Sequence, residues 1–148
     1  MNAVARPGRH IIEKLLETIK EGCARGIFPM LDYEPEHIFA DGLYGRKANA
    51  IPAGTVIISK VHKQQHITVP IKGVVTIYDQ DGNRQTIHPG EVFITEPGTQ
   101  RAIYCHDEVE WLTIHAVKSH VLEEIEKVIF CDSFTEFDAL IEDMRVAA

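Results

Sequence analysis

The sequence predicts a mainly β protein, with one antiparallel β-barrel flanked by N-terminal and C-terminal helices. Between residues 50 and 117, short runs rich in β-branched and aromatic residues alternate with turn signals. This regular spacing is typical of a β-sandwich or barrel and not of βαβ units. Apolar residues recur at helical spacing before and after this region. We therefore expect one structural domain in three parts: residues 1–49, the barrel 50–118, and 119–148.

The barrel region contains seven runs with the composition of strands. They are TVIISKVH, ITVPI, VVTIYD, RQTIH, EVFITE, RAIYC and VEWLTIHAV. Glycine, proline and acidic residues separate the runs and mark turns. The strongest hairpin signal is Asp81-Gly82, because glycine readily adopts the positive φ that such tight turns require. An antiparallel arrangement follows from these short connections.

The flanking segments are predicted as amphipathic helices and one connection. Residues 9–24 place isoleucine and leucine on one face and charged residues on the other, and Gly22 and Gly26 mark the end of this helix. Residues 27–47 hold two prolines, two glycines and several aromatic residues, so we expect a winding connection that packs on the barrel. VLEEIEKVIF reads as a second helix, and Ser133 with Glu136 has the spacing of a capping box that begins a third.

Composition excludes several classes of function. The chain of 148 residues is 45% apolar and 25% charged, with a net charge of -7, which is typical of a soluble globular protein. An acidic chain lacks the basic face of a nucleic-acid binder. The three cysteines are widely spaced and form no metal or disulfide motif. The first residues lack a signal-peptide core, and no run is apolar enough for a membrane span. We expect a cytoplasmic protein without nucleic-acid or membrane partners.

Several motifs resemble the cupin superfamily of small jelly-roll barrels. They are the Pro52-Ala53-Gly54 segment, Gly73 between two strands, Pro89-Gly90 and the Pro97-Gly98 turn. More narrowly, HKQQH, PGTQR and WLTIH resemble segments of short cupin-like proteins from bacteriophage and bacterial genomes. The resemblance covers residues 50–117 and implies a jelly-roll barrel. If the chain is phage-encoded, its compartment is the cytoplasm of the bacterial host.

The resemblance also implies where a metal would bind. Cupins hold a divalent metal with two closely spaced histidines, a glutamate and a later histidine. With the chains aligned on Gly73, these positions hold Lys60, His62, His66 and Arg101. Lysine and arginine offer no lone pair at neutral pH, so they would repel a divalent cation. The family's usual iron or manganese dioxygenase site is therefore not expected here.

An altered metal site remains a hypothesis. Two neutral imidazoles and one more ligand can bind zinc, iron, nickel or manganese with open positions for water. His62 and His66 would supply two ligands. His115 is the best third candidate, because strand alternation places it on the same face as Trp111 and Thr113. His88 and His106 lie at turns and are expected to be exposed.

A second hypothesis concerns an anionic small-molecule ligand. If Arg101 points into the barrel, its buried guanidinium needs a carboxylate partner or an anionic ligand. The alternative is a surface arginine paired with Glu96 or Glu108. Lys60 shares strand parity with His62 and would add a second positive charge, and Gln64 would contact the ligand from a loop.

Three functions stay open at this point. The first is a barrel that binds a small anionic molecule, with or without a metal-dependent enzymatic activity. The second is a metal-free nucleotide or cyclic-nucleotide module, because IPAGTVIISK, IKGVVTIYDQDG and PGEVF also resemble such domains, although Phe93 is followed by Ile94 and not by their Gly-Glu. The third is a non-catalytic phage accessory or structural protein. Edge strands and amphipathic helix faces also predict a homodimer.

Overall fold

A computed structural model describes residues 6–147, including the side chains of residues 6–142. The expectation that no signal peptide is present concerns residues 1–5, which lie outside this range. Three helices are formed: α1 (Pro7–Ala24), α2 (Leu122–Ile129) and α3 (Phe134–Ala147). The strands are β1 (Glu36–Ala40), β2 (Leu43–Ile51), β3 (Val56–Ile58), β4 (Val61–His62), β5 (His66–Lys72), β6 (Val75–Asp79), β7 (Arg84–Ile87), β8 (Phe93–Thr95), β9 (Arg101–Cys105), β10 (Val109–Ala116) and β11 (Phe130–Cys131).

The strands form antiparallel sheets in the arrangement of a jelly roll. One sheet has the order β1-β2-β10-β5-β8, a second has the order β3-β9-β6-β7, and β11 pairs with β4. Apolar residues of the two larger sheets meet in one core, which includes Ala48, Val75 and Ile103. The predicted fold class is confirmed. Within the described residues, the hydrogen bonds between strands do not close the sheets into a continuous barrel.

The predicted winding connection is wrong for residues 36–47, which belong to strands β1 and β2. The two strands are joined at Asp41-Gly42, where Gly42 has a φ of 71°. Strand β2 pairs along most of its length with β10 near the other end of the chain. The prolines and glycines in this segment make its local sequence look unlike a strand. Pairing of β2 with the distant strand β10 stabilises the strand conformation.

The run TVIISKVH is divided between two sheets. Strand β3 pairs with β9, whereas β4 pairs with β11. Ser59 and Lys60 make the crossing between them. Ser59 fixes the crossing, because its hydroxyl accepts a hydrogen bond from the backbone N–H of Arg101 at 2.9 Å. His62 therefore lies on a strand separate from the one that holds Ile57.

The helices follow the sequence prediction closely. Helix α1 begins two residues before the predicted start, with Pro7 in its first turn, where proline's missing N–H costs nothing. Its Gly8 is buried against the backbone of the β6–β7 hairpin. Helix α3 begins after Ser133, whose hydroxyl accepts a hydrogen bond from the Glu136 N–H at 3.1 Å. No helix of the described residues is long and apolar enough to cross a membrane.

The outer face of the five-stranded sheet carries a row of apolar residues. Ile38 pairs across to Gly45, then Ile114, Ile67 and Ile94, so the row crosses all five strands. Its members on the sheet's outer strands are exposed, with Ile38 at 43% and Ile94 at 54%. The inner face of the same sheet lines the cavity described next.

Candidate functional site

A cavity of about 270 Å³ lies inside the jelly roll. Strands of both larger sheets supply its wall, and β4 and Phe130 of β11 contribute at one end. Most of the wall is apolar, with Trp111 and Ile103 on opposite sheets. An apolar cavity with convergent polar groups is a candidate ligand site.

Three buried histidines form a contiguous cluster at this site. His62, His66 and His115 are only 8%, 4% and 1% exposed. The ring centroids of His62 and His66 are 4.5 Å apart, and those of His66 and His115 are also 4.5 Å apart. The structure thus brings together the three histidines that the sequence analysis selected.

Strand pairing explains this convergence. His62 is held by its backbone N–H, which donates to the Thr99 carbonyl at 2.9 Å, and by pairing with Phe130 of β11. His66 begins β5 and pairs with Thr95 of β8. His115 lies on β10 beside β5, and one of its ring nitrogens, Nε2, lies 2.8 Å from the Thr113 hydroxyl.

Burial keeps the three imidazoles neutral. Desolvation lowers the pKa of His62 to about 2, with His66 and Arg101 as further causes. Desolvation likewise lowers the pKa of His66 to about 4 and that of His115 to about 3. All three are uncharged at pH 7, and at such pKa values they are weak proton acceptors in general base catalysis. Their Nδ1 atoms are buried without a hydrogen-bond partner among the described residues.

Arg101 lines the same cavity and lacks a carboxylate partner. Its Nη1 donates to the Thr95 hydroxyl at 3.0 Å, and its guanidinium carbon lies 5.1 Å from the Phe93 ring centroid. Its Nε is buried without a partner in the described part of the chain. Desolvation lowers the pKa of Arg101 to about 10, so the guanidinium stays charged at neutral pH.

The predicted surface pairing of Arg101 is not formed. Glu108 instead accepts a hydrogen bond from Lys72 at 2.6 Å, and Glu96 accepts one from Gln65 at 3.0 Å. Arg101 shares the cavity face with Ile103, as strand alternation predicts, whereas Tyr104 points outward and is 45% exposed.

Sequence reasoning missed a second arginine in the cavity. Arg46 of β2 forms an ion pair with Glu126 of α2 at 3.4 Å, and the same nitrogen lies 3.4 Å from the Tyr44 hydroxyl. The Tyr44 hydroxyl also lies 2.7 Å from Nδ1 of His37. Residues 27–47 were expected to be a connection, so alternation along the first part of β2 could not be used. The sequence of β2, LYGRKANAI, was the signal that could have identified Arg46 as a residue on this strand.

The other two predicted ligand-binding residues lie at the margin. Lys60 lines the cavity, but its side chain is 59% exposed and its ammonium is 3.5 Å from Asp132. Gln64 is not among the lining residues, although its buried Oε1 has no hydrogen-bond partner within residues 6–142. Of the two predicted cations, Arg101 is thus the one that lines the cavity without an ion pair among the described residues.

The remaining histidines and thiols lie outside the site. His88 and His106 are exposed, as the turn positions predict. Cys105 is completely buried, and burial raises the pKa of its thiol. A protonated buried thiol is a poor nucleophile, which agrees with the structural role expected for it.

The histidine cluster has suitable donor atoms for a metal ion, but its side chains are not arranged around a common metal position. Three neutral imidazoles with unpartnered Nδ1 atoms are a suitable donor set for zinc, nickel or iron. However, no group of three or more histidine, cysteine or acidic side chains among residues 6–142 is arranged to hold a metal ion. The rings lie against one another, and two arginines face the same space. Metal binding would require these side chains to turn.

Comparison with known proteins identifies the fold family. A model described as "Cupin domain" matches residues 50–115. This part of the chain is therefore similar to cupin domains. A search of curated proteins found no match. The narrower resemblance to bacteriophage proteins stays a prediction.

Several solved structures are similar to this chain, and the one with a TM-score above 0.5 supports a shared fold. Protein NMB1881 from Neisseria meningitidis is 15% identical, with a TM-score of 0.51 over 66% of this chain and 95% of its own. A cupin-2 domain containing protein from Shewanella frigidimarina is 12% identical, with a TM-score of 0.47 over 70% and 98%. HppE with FeII and substrate is 9% identical, with a TM-score of 0.48 over 62% and 57%. At these identities the likeness concerns the fold alone.

Proposed function

We propose that this cupin-like domain binds a small anionic molecule in its cavity, with Arg101 as the anchor and without need of a metal. The observation that carries the proposal is that Arg101 forms no ion pair among the described residues, although Asp79 on the neighbouring strand partly offsets the effect of burial on its pKa. A buried guanidinium without a counter-ion costs several kcal/mol, whereas one that meets a carboxylate or phosphate forms a strong charge-assisted hydrogen bond. An anionic ligand supplies the missing partner.

The surroundings of Arg101 support ligand binding more than proton transfer. The three neighbouring imidazoles are neutral at pH 7 and therefore add no positive charge that would attract the anion away from Arg101. Their low pKa values make them poor bases at neutral pH, and we accordingly assign no catalytic residue. The arrangement favours a binding module.

A thermal-shift screen of metal-stripped protein tests the proposal. Small carboxylates, inorganic phosphate and cyclic AMP are added at millimolar concentration. A ligand at 100 times its Kd stabilises the folded state by about 2.7 kcal/mol, which raises the melting temperature measurably. We expect at least one anion to stabilise the wild type but not Arg101→Gln. If no anion of any class stabilises the chain, the proposal is wrong.

A metal-dependent version is a second candidate, favoured by the three unpartnered Nδ1 atoms. Neutral imidazoles need lose no proton to bind a cation, so the low pKa values assist this candidate. Elemental analysis after purification with zinc, nickel, iron or manganese tests it. Stoichiometric metal in the wild type, lost in His62→Ala/His66→Ala but kept in the exposed control His88→Ala, would establish it. Absence of metal under all four conditions would exclude it.

A further inference from the structure

The charged residues that line the cavity indicate how much charge its ligand carries. Arg46 is paired with Glu126 at 3.4 Å, and Lys60 is paired with Asp132 at 3.5 Å. Arg101 has no such pair among the described residues. One positive charge is therefore left to be neutralised. A phosphate monoester carries about 1.5 to 2 negative charges at neutral pH, so it would bring more charge than the cavity can neutralise, whereas a carboxylate brings one.

The rest of the wall determines the character of the ligand's body. Aliphatic and aromatic side chains from five strands line the space: Ala48, Ile57, Ile58, Ile103, Trp111 and Phe130. Such a wall gains free energy by removing apolar surface from water, while polar groups such as Ser59, Thr68 and Thr113 line the smaller part of it. An apolar body is favoured over a sugar-like one.

The volume of the cavity sets the size. A water molecule occupies about 30 Å³ in the liquid, so about nine waters fill 270 Å³. A ligand of about ten non-hydrogen atoms would replace them. Cyclic AMP is roughly twice that size and does not fit the space as it stands.

We propose that the ligand is a monocarboxylate with an apolar, aromatic or branched body of about ten non-hydrogen atoms. The proposal rests on the anion-binding function proposed for Arg101. The carboxylate meets the guanidinium of Arg101, and the body packs between Trp111 and Ile103.

Intrinsic fluorescence offers a direct readout, because Trp111 lines the cavity and is the only tryptophan of the chain. The full chain is titrated with phenylacetate, which has the proposed size, charge and body. Phenylacetamide has the same shape without the charge, phenylphosphonate carries up to two charges, and gluconate replaces the apolar body with hydroxyls. We expect phenylacetate to bind at least tenfold more tightly than each of these three.

Variants connect the binding to Arg101. Arg101→Gln is expected to weaken phenylacetate at least tenfold, and Arg101→Lys, which keeps the charge, to weaken it less. Arg84→Gln on exposed strand β7 is the matched control and should bind as the wild type does. Thermal melting of each variant, followed by circular dichroism, verifies that it is folded.

The outcomes separate the two proposals. If phosphate or phenylphosphonate binds in an Arg101-dependent way and phenylacetate does not, the ligand class is wrong and anion binding stands. Equal binding of phenylacetamide and phenylacetate would overturn the role of charge. If none of the anions changes the fluorescence or the melting temperature, both proposals fail.

Discussion

The Arg101 side chain lowers the stability of the ligand-free protein and favours the binding of an anion. Its guanidinium is charged, desolvated and without a carboxylate in the described residues. The Thr95 hydroxyl and the Phe93 ring compensate only part of the lost hydration. Arg46 lines the same cavity but meets Glu126, so its charge is balanced within the protein. The two arginines thus differ in what they require from a ligand.

This difference predicts that methionine stabilises the ligand-free protein at position 101 and destabilises it at position 46. Arg101→Met should raise the melting temperature of the ligand-free protein by about 2–4 °C, because apolar replacement of a buried charge without an ion pair is neutral to stabilising. Arg46→Met should lower the free energy of unfolding by about 1 kcal/mol, since it leaves Glu126 without its ion-pair partner. Differential scanning calorimetry measures both. Destabilisation by Arg101→Met as large as that by Arg46→Met would contradict this account.

At the scale of elements, helix α1 is positioned by a close backbone approach. Gly8 lies in its first turn, and a Cβ at this residue would lie 1.9 Å from the carbonyl oxygen of Asp79. The backbone of the β6–β7 hairpin cannot retreat without breaking its own hydrogen bonds. The contact also brings Arg9 to Asp138 of α3, with a nitrogen-to-oxygen distance of 2.7 Å. The N-terminal helix is thereby joined to both a sheet and the C-terminal helix.

Gly8→Ala should therefore destabilise the protein by about 1–3 kcal/mol through overpacking. The matched control is Gly26→Ala, which meets no atom within 4 Å but places alanine at a φ of 72°. That substitution should cost about 1 kcal/mol of backbone strain. Urea unfolding curves measure the two losses. A smaller loss for Gly8→Ala than for Gly26→Ala would show that α1 can shift away from the hairpin freely.

At the scale of the whole molecule, the histidine cluster predicts acid sensitivity. The pKa values of His62, His66 and His115 in the folded protein are about 2, 4 and 3, below the value near 6.5 of an unfolded chain. Between pH 6.5 and 4, the unfolded chain binds more protons, so the free energy of unfolding falls as the pH falls. The slope reaches at most about 1.4 kcal/mol per pH unit for each histidine.

Urea unfolding between pH 7.5 and 5 measures this slope. His115→Gln should reduce it, because one buried imidazole no longer takes up a proton on unfolding. His88→Gln removes an exposed histidine and should leave the slope unchanged. If the free energy of unfolding is the same at pH 7.5 and pH 5, the three histidines are not buried in their neutral form in the folded protein.

Self-association stays a prediction of the whole molecule. The apolar row from Ile38 to Ile94 on the outer face of the sheet adds to the exposed apolar surface that favours it. Size-exclusion chromatography with light scattering should give twice the chain mass of 16.7 kDa. A mass that stays at that of one chain at high protein concentration would exclude the homodimer.

The sequence alone determined the features that depend on local pattern. Period-two alternation predicted most strands and the shared face of Arg101 and Ile103, helical spacing predicted α1, and the capping-box spacing predicted the start of α3 near Ser133. The positive φ of Gly82 in the β6–β7 hairpin was predicted from Asp81-Gly82. These features are encoded within a few residues, because the side-chain periods of helices and strands act over that distance.

The tertiary structure decided which groups have partners. Strand β2 is formed through pairing with β10, and Arg46 meets Glu126 across 80 positions of sequence. The same long-range contacts leave Arg101 without a carboxylate and set the three histidine rings against one another instead of around a metal. The sequence could name Arg101, His62, His66 and His115, but charge balance and ring placement depend on segments that only folding brings together.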